Sequence, residues 1–455
     1  MSKQHDFTQG NIGKQLIAFS GPIILTNLLQ ASYQFIDSLW VGNLLGANAL
    51  GSVAVSSTII LTVLSFILGL NNAALTILSQ QRGRGSADGL KRYLNAFVVI
   101  MTFIAIVLGF AGYFFAEGLL QLLGTPESMI AGATSYLRIN FIGILFLVGY
   151  NFISTVLRAM GDSKAPLRFV SIAVALNIVL DPLFIAGFKW GIEGAAIATV
   201  FSQATAFLYG MVYVLQRKLA PFSMPKLPSW KEVKLILYLG FPASMQMIVI
   251  TAGTAAILSV VTKFGGDVVA GFGAAQQLDS LILLPAFALG TAVSSMAGQN
   301  IGGRHWARVN EIAKQGVISN FLIMAAIGVF VIFFAEYGMK LFIRDEEAVG
   351  FGTRYLQIVA LCYPFLGINF ILNGILRATG AMYPVLGLNI LSFWILRYPL
   401  TLFYSNHFGE IGIAMGLGTS FLISSIVAFL YYRFGKWREK DLFAVKGKTT
   451  AKSFT

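Results

Sequence analysis

The sequence predicts an all-α polytopic membrane protein. We expect twelve transmembrane helices in two six-helix bundles, related by a pseudo-two-fold axis along the membrane normal. Three observations predict this fold: charge is scarce, long apolar segments recur, and the second half of the chain repeats the first. Of the 455 residues, 56% are hydrophobic and 11% charged, and the mean hydropathy is +0.76. Because soluble domains carry about 25% charged residues, the expected solvent of this chain is the bilayer.

The transmembrane segments follow one another along the whole chain, each long enough for the roughly 20 apolar residues that a crossing requires. We predict spans 1 to 12 at 14–42, 48–79, 93–115, 131–157, 167–188, 191–216, 233–262, 268–298, 315–336, 353–377, 385–406 and 410–433. The longest polar connector, QRKLAPFSMPKLPSWKEVK, joins spans 6 and 7. We therefore expect an N-lobe (1–216), a cytoplasmic linker (217–232), a C-lobe (233–433) and a basic cytoplasmic tail (434–455).

The basic residues predict the orientation. If the N-terminus lies in the cytoplasm, cytoplasmic segments hold 25 of the 32 Lys and Arg residues, outer loops hold six, and Arg397 lies inside span 11. This asymmetry follows the positive-inside rule. The net charge of +13 then reflects topology and attraction to anionic lipid rather than nucleic-acid binding. We expect a monomeric multi-pass protein of the plasma membrane, in contact with its lipids, with both termini cytoplasmic.

The two halves of the chain share several sequence blocks at nearly one offset. The matched pairs are Pro22 with Pro242 (242 − 22 = 220), Gln80 with Gln299, Gly83 with Gly302, and Arg158 with Arg377 (each 219). The repeated unit has six spans, an even number, so both halves start on the same side of the membrane. Two such bundles leave a central cleft, which is the architecture of alternating-access transporters.

Three acidic residues lie well within the predicted spans: Asp37, Asp181 and Asp279. An acid at mid-membrane costs several kcal/mol unless it is paired or protonated, so it indicates a functional site. In span 1, Gln30, Tyr33, Gln34 and Asp37 follow the spacing i, i+3, i+4, i+7 and form one polar stripe of a helix.

A second polar group surrounds Asp181. Asn177 lies one turn before it, and Pro182 removes the usual partner of the Ile178 carbonyl. After a short loop, Thr199 returns in span 6 to the depth of Asp181. Carboxylates, an amide and a hydroxyl suit a small hard cation or a shared proton. The alternative is that these groups only lock the N-terminal bundle through buried hydrogen bonds.

Four blocks carry a family resemblance: GPIILTNLLQASYQFIDSLWVGNLLGANALG, QQRGRG, VLRAMGDSKAP and LNIVLDPLFI with GIEGAAIAT. Together they resemble the multidrug and toxic-compound extrusion (MATE) family, in particular its bacterial DinF-like or NorM-like branch. The resemblance implies a secondary antiporter that exports organic, often cationic and amphipathic compounds, driven by inward H⁺ or Na⁺, with a role in antibiotic resistance. It also implies residue roles: Asp37, Asn177, Asp181 and Thr199 match the N-lobe cation site, which could hold Na⁺, and Gln30, Tyr33 and Asn151 match its polar lining.

Further candidates are Gln34, Asp279 and Pro22. We place Gln34 and Asp279 in the cavity lining. Asp279 would be a second cation site, a counter-charge for substrate, or a structural partner of Arg397. Pro22 lies in the interior of span 1, where a proline kinks a helix, so we expect a hinge there. Some family branches carry acids in spans 7 and 10. This chain has Gln246, Asn369 and Asn373 in those spans, which favours coupling through the N-lobe.

Other functional classes fit the sequence less well. It has no phosphate-binding G-x-x-x-x-G-K-[ST] motif and no metal-ligand spacing, so we expect neither an enzyme nor a cofactor, apart from H⁺ or Na⁺ as coupling ion. The stronger alternative is a flippase of lipid or lipid-linked oligosaccharide from the same superfamily. Its cavity should be more cationic to hold pyrophosphate, whereas the span interiors here offer only Arg397. Oxygen ligands serve H⁺ and Na⁺ alike, so the coupling ion and the substrate stay open.

Overall fold

A computed structural model describes residues 5–438 and 441–443 and consists of helices and their connections. The helices are Ile12–Leu45 (span 1), Ala47–Gly83 (2), Ala87–Leu122 (3), Glu127–Ile142 with Ile144–Ala159 (4), Lys164–Pro182 with the π-helix Leu183–Gly187 (5), Gly191–Gln216 (6), Trp230–Val261 with the 3₁₀ turn Thr262–Phe264 (7), Gly266–Ile282 with Leu284–Gly302 (8), Trp306–Phe342 (9), Glu346–Ala360 with Tyr363–Ala378 (10), Met382–Ile390 with the π-helix Leu391–Arg397 and Tyr398–Phe408 (11), and Ile411–Phe434 (12).

The number of spans agrees with the sequence. In the described part of the chain, ten segments are long and apolar enough to cross a membrane alone, and two bent helix pairs bring the total to twelve. The all-α membrane fold is therefore confirmed. The helices extend further than predicted: span 9 begins at Trp306 and ends at Phe342, 37 residues in all. At 1.5 Å per residue this is about 55 Å, longer than the hydrocarbon layer, because hydropathy detects the lipid-facing part of a helix and misses its polar ends.

The repeat is visible in the irregularities of the helices. Span 4 bends by 50° at Gly143, and its counterpart span 10 bends by 56° between Ala360 and Tyr363. Spans 5 and 11 each contain a π-helical segment. Such segments are rare and occur often at functional sites. The N-lobe (spans 1–6) and the C-lobe (spans 7–12) therefore share distortions as well as helix order.

The outward faces of spans 3 and 9 carry large apolar side chains with no protein neighbour to cover them. Phe114 and Phe115 are 68% and 67% exposed, and Phe333 and Tyr337 are 72% and 70% exposed. In water such faces would promote aggregation, whereas in a bilayer they contact acyl chains. The hydrophobic surface is thus matched to lipid on both lobes.

One end of the molecule is closed by hydrogen bonds between the lobes. We call it the terminal face, since residues 5–12, 434–438 and 441–443 lie there. From the N-lobe, Thr76 Oγ1 donates to the Arg377 carbonyl (2.9 Å) and Gln80 Nε2 to the Ala378 carbonyl (2.6 Å). From the C-lobe, Ser295 Oγ donates to the Arg158 carbonyl (2.6 Å) and Gln299 Nε2 to the Ala159 carbonyl (2.9 Å). Donors and acceptors are related by one offset, since 295 − 76, 299 − 80, 377 − 158 and 378 − 159 all equal 219.

Glycines allow spans 2 and 8 to approach closely at this face. A Cβ atom on Gly83 would lie 1.8 Å from the Gln299 carbonyl oxygen, and one on Gly302 would lie 2.0 Å from the Gln80 carbonyl oxygen. These clashes involve backbone atoms, which cannot rotate away. The sequence repeat of Gln80–Gly83 in Gln299–Gly302 therefore has a packing reason.

Both terminal segments reinforce the closure. Phe7 is fully buried; its backbone N–H donates to Gln299 Oε1 and its carbonyl accepts from Asn300 and Arg308. The preceding His5 donates its N–H to the Gly161 carbonyl of the N-lobe. At the other terminus, Asp441 forms ion pairs with Arg84 of the N-lobe and Arg304 of the C-lobe. Each terminal segment thus contacts both lobes.

The opposite half of the lobe interface is open. Every interlobe hydrogen bond described above lies on the terminal side of the bond from Ser244 Oγ to the Phe66 carbonyl (2.8 Å). Beyond it, polar residues of the spans at the interface are exposed: Gln34, Thr62, Thr251 and Gln277. Polar side chains within spans face protein or water rather than lipid. Together with the closed terminal face, these exposed polar side chains indicate a cleft between the lobes that opens away from that face.

Substituting Gly83 with alanine should prevent this closure, because the added methyl group collides with the Gln299 carbonyl. We expect Gly83→Ala to raise the labelling of a cysteine at position 76 by a membrane-impermeant maleimide several-fold, with Cys362 replaced by serine. The control is Gly273→Ala, where the methyl group meets no atom within 4 Å. Equal labelling of both variants would contradict the role of this contact.

Candidate functional site

Asp37 is a buried carboxylate on the polar stripe of span 1. It is 6% exposed, and its Oδ2 accepts a hydrogen bond from the Tyr136 hydroxyl at 3.4 Å. Tyr136 belongs to the first segment of the bent span 4, 99 residues away in sequence. Asp37 Oδ1 is also buried and has no donor among the described residues. One carboxylate oxygen therefore remains available to another group.

Asp181 is completely buried in span 5 and is held by its neighbour one turn earlier. Asn177 Nδ2 donates to Asp181 Oδ1 at 2.8 Å, and both residues are 0% exposed. The helix changes to the π form directly after Pro182, with Phe188 N–H bonding to the Leu183 carbonyl at 2.8 Å. The predicted distortion at the proline is confirmed, because proline cannot donate the backbone bond that an α-helix needs there.

The structure brings the four predicted coupling residues together. The carboxyl groups of Asp37 and Asp181 lie close enough to interact, and the hydroxyl groups of Tyr33 and Thr199 lie near each other beside them. Among the described residues, five buried oxygen atoms of this cluster lack a well-formed hydrogen bond: Asp37 Oδ1, Asp181 Oδ2, Asn177 Oδ1, Thr199 Oγ1 and Tyr33 OH. We call these residues, with Tyr136, the N-lobe acid cluster.

Five unsatisfied oxygens in a buried cluster are unusual, since more than 90% of buried polar groups are normally hydrogen-bonded. A proton between the two carboxyl groups would satisfy one oxygen on each. A Na⁺ ion would find carboxylate, amide and hydroxyl oxygens, which are the ligands of hard cations. The donor set therefore fits either coupling ion.

The remaining predicted lining residues lie outside this cluster. Gln30 Nε2 donates to the Tyr150 hydroxyl at 3.4 Å, and Asn151 Nδ2 donates to the Leu147 carbonyl one turn earlier. Gln34 is exposed. Their contact with substrate stays a prediction. Sequence reasoning overlooked Tyr136, although its recurrence as Tyr355 (355 − 136 = 219) was a usable signal.

In the C-lobe, Asp279 accepts hydrogen bonds from two tyrosines of span 10. The Tyr355 hydroxyl donates to Oδ2 at 3.3 Å, and the Tyr363 hydroxyl donates to Oδ1. Arg397 forms no ion pair with Asp279 within 4.0 Å. The structural salt bridge considered from the sequence is therefore absent, and Asp279 is held by hydroxyl groups instead.

Comparison with known sequences identifies the relatives of this fold. The profile of the MatE family matches residues 22–183 and 242–403, one match in each lobe. Probable multidrug resistance protein YpnP of Bacillus subtilis strain 168 is 60% identical over 98% of this chain and 100% of its own length. The chain belongs to the MATE family.

More distant relatives also match nearly the full length of this chain. Probable multidrug resistance protein NorM of Thermotoga maritima is 25% identical over 94% of both chains, and the FAD transporter of Shewanella oneidensis is 25% identical over 94% of this chain and 96% of its own. A crystal structure of a mutant of the Vibrio cholerae MATE transporter VcmN superposes with a TM-score of 0.90 at 22% identity, covering 95% of this chain and 98% of that one. At this identity the superposition shows the fold alone.

Span 1 of this MATE protein runs through Pro22 as one unbroken helix from Ile12 to Leu45. The Thr26 hydroxyl donates to the Pro22 carbonyl at 2.7 Å. Pro22 itself donates no backbone bond to the Ala18 carbonyl, so the backbone is weakened at this level. The hinge stays a prediction, and the helix is continuous in this state.

Replacing Asn177 with leucine should destabilise the protein, because buried Asp181 then loses its donor. Hydrogen bonds to charged groups contribute about 1.5–3 kcal/mol, so we expect a lower unfolding temperature of the purified protein in detergent. In an Asp181→Leu background, Asn177→Leu should lower the free energy of unfolding by at least about 1 kcal/mol less than in the unmodified protein, because the acceptor of the hydrogen bond is already gone. Additive losses in this double-mutant cycle would contradict the pairing.

Proposed function

We propose that this protein is a secondary antiporter that exchanges organic, often cationic and amphipathic compounds for inward-moving H⁺ or Na⁺. The observation that carries the proposal is the N-lobe acid cluster: two facing buried carboxyl groups with unsatisfied oxygens around them. Buried acids within a membrane are expensive and indicate ion or proton pathways. A cluster that exists only to stabilise the lobe would have its hydrogen bonds satisfied.

The closed terminal face supports alternating access. With both termini in the cytoplasm, as the distribution of Lys and Arg favours, the cleft opens to the outside and the described state is outward-open. A coupling cation then reaches the N-lobe acid cluster from the cleft. Its binding reduces the negative charge of the Asp37–Asp181 pair by one, which weakens the pair's attraction for a cationic substrate and releases that substrate outward. The protein would act as a monomer in the plasma membrane.

Neutralising either carboxylate should abolish coupling. In inside-out vesicles we expect Asp37→Asn and Asp181→Asn to lower ethidium transport driven by a pH or Na⁺ gradient by about tenfold or more, since the cation loses a charged ligand. The comparison of the two gradients in the unmodified protein identifies the coupling ion. Glu117→Gln, which changes an exposed acid of span 3, is the matched control. Undiminished transport in both the Asp37→Asn and the Asp181→Asn variants would contradict the proposed site.

The hinge in span 1 has its own test. Pro22→Ala restores a backbone hydrogen bond to the Ala18 carbonyl and stiffens the helix, so we expect slower gradient-driven efflux with unchanged protein levels. The symmetry-related Pro242→Ala is the control, because span 7 has its one acid, Glu232, in the first turn and none near Pro242. Normal efflux by Pro22→Ala would show that span 1 does not bend there during transport.

A second candidate is export of organic anions, since one relative is named an FAD transporter and the C-lobe holds the buried cation Arg397. Uptake of FAD beside that of ethidium, into the same inside-out vesicles, separates the two. Transport of FAD without ethidium would favour the anion exporter over the cation exporter.

A further inference from the structure

Two matched glycines at the terminal face each receive one end of the chain. Gly161 follows span 4 and Gly380 follows span 10, and 380 − 161 equals the repeat offset of 219. Both have a positive φ, +85° and +83°. A Cβ atom on Gly161 would lie 2.3 Å from the His5 carbonyl oxygen, and one on Gly380 would lie 2.5 Å from Leu442 Cδ2. The two terminal segments therefore dock at equivalent places, one on each lobe.

The C-terminal segment crosses from one lobe to the other. We call residues 441–443 the C-terminal strap. The chain enters it from the C-lobe, where Trp437 is 1% exposed in the hydrophobic core. On the N-lobe, Phe443 packs edge-on against Tyr93 of span 3 with ring centres 5.3 Å apart. The guanidinium carbon of Arg84 lies 4.5 Å from the centre of the Phe443 ring. The strap thus connects the C-lobe core to spans 2 and 3.

Asp441 joins the two lobes through its two carboxylate oxygens. Its Oδ1 pairs with Arg84 at the end of span 2, and its Oδ2 lies 3.9 Å from Arg304, which follows span 8. A movement that separates spans 2 and 8 therefore breaks one of these ion pairs. Exposed ion pairs contribute little by themselves, and Arg304 is 81% exposed. Most of the binding of the strap then comes from Leu442 and Phe443, which are partly buried against core residues.

The two terminal segments differ in how firmly they are attached. Phe7 is fully buried, and its backbone N–H and carbonyl both bond to side chains of the C-lobe. In the part of the chain that the structure describes, no hydrogen bond joins the backbone of residues 441–443 to either lobe. The Phe443 N–H instead donates to Asp441 Oδ1 at 3.1 Å, within the strap. The strap is therefore held by side chains, and it can leave the lobes without losing a backbone hydrogen bond to them.

We propose that the C-terminal strap is a releasable fastening of the terminal face: docked, it holds this face closed, and undocked, it lets the lobes separate there. The inference rests on the alternating access of the proposed function and adds the element that sets how often this face opens. A contact made in only one of two states favours that state by its own free energy. Loss of the strap should therefore raise the population that is open at the terminal face.

Two truncations that differ by three residues test this role. One chain ends at Lys440 and lacks the strap. The matched control ends at Phe443, so it keeps the strap and lacks only residues 444–455. We expect the terminal face of the purified protein in lipid nanodiscs to become accessible about threefold faster or more in the first chain, and less than about twofold faster in the control.

A cysteine at position 79 reports the opening. Ser79 is fully buried in span 2, and a Cβ atom on Gly298 of span 8 would lie 2.0 Å from its hydroxyl oxygen. Ser79→Cys in a Cys362→Ser background therefore places one thiol in the contact between the lobes. Its rate of labelling by a membrane-impermeant maleimide measures how often spans 2 and 8 separate, without substrate and without an ion gradient.

Equal labelling of the two truncated chains, or no increase over the full chain in either, would overturn the proposal. If the chain that ends at Lys440 does not fold, Phe443→Ala in the full chain decides by the same measurement. Its control is Phe434→Ala, which removes a ring that is 74% exposed. Failure of the export function would appear separately, as undiminished gradient-driven transport by Asp37→Asn, since the labelling requires no transport.

Discussion

The closure of the terminal face is the interaction on which the rest of the structure depends. Four side chains, two from each lobe, donate to backbone carbonyls of the other lobe, and all four are related by the internal repeat. They can do so only because Gly83 and Gly302 let spans 2 and 8 touch through their backbones. With this end held shut, exposed polar side chains such as Gln34 of span 1 and Gln277 of span 8 lie toward the other end of the spans, where a cleft between the lobes would keep them from lipid.

Electrostatic cost explains why the acids lie where they do. A carboxylate exposed to hydrocarbon has a prohibitive free-energy cost. A carboxylate with several hydrogen-bond donors is stable, but it has no oxygen left for a cation. Asp37 and Asp181 lie between these two cases. Asp37 accepts one hydrogen bond from Tyr136, and Asp181 accepts one from Asn177. The remaining oxygens need a cation or a proton to be satisfied. On the proposed function, binding of the coupling ion would complete the hydrogen bonding and ligation of these oxygens.

The two halves of the repeat share their backbone fold but differ in the charged residues of their interiors. Tyr136 and Tyr355 occupy matched positions and both donate to a carboxylate, yet that carboxylate comes from span 1 in the N-lobe and from span 8 in the C-lobe. Where span 5 has Asp181 beside its π-helix, span 11 has Arg397 within its own. Pseudo-symmetric helices thus surround unlike sets of charged and polar side chains in the two lobes.

The sequence by itself determined the membrane fold, the number of spans, the repeat and the carboxylates of interest, because these follow from local hydropathy, spacing and the cost of charge in lipid. The same reasoning selected Asp37, Asn177, Asp181 and Thr199 as candidates, and their role in coupling stays a prediction. Only the tertiary structure decided which oxygens meet, that Tyr136 supports Asp37, that Asp279 and Arg397 do not pair, and which end of the cleft is closed. These depend on contacts between helices as much as about 300 residues apart, such as Gln80 with Ala378, and helix packing angles leave no periodic trace in sequence.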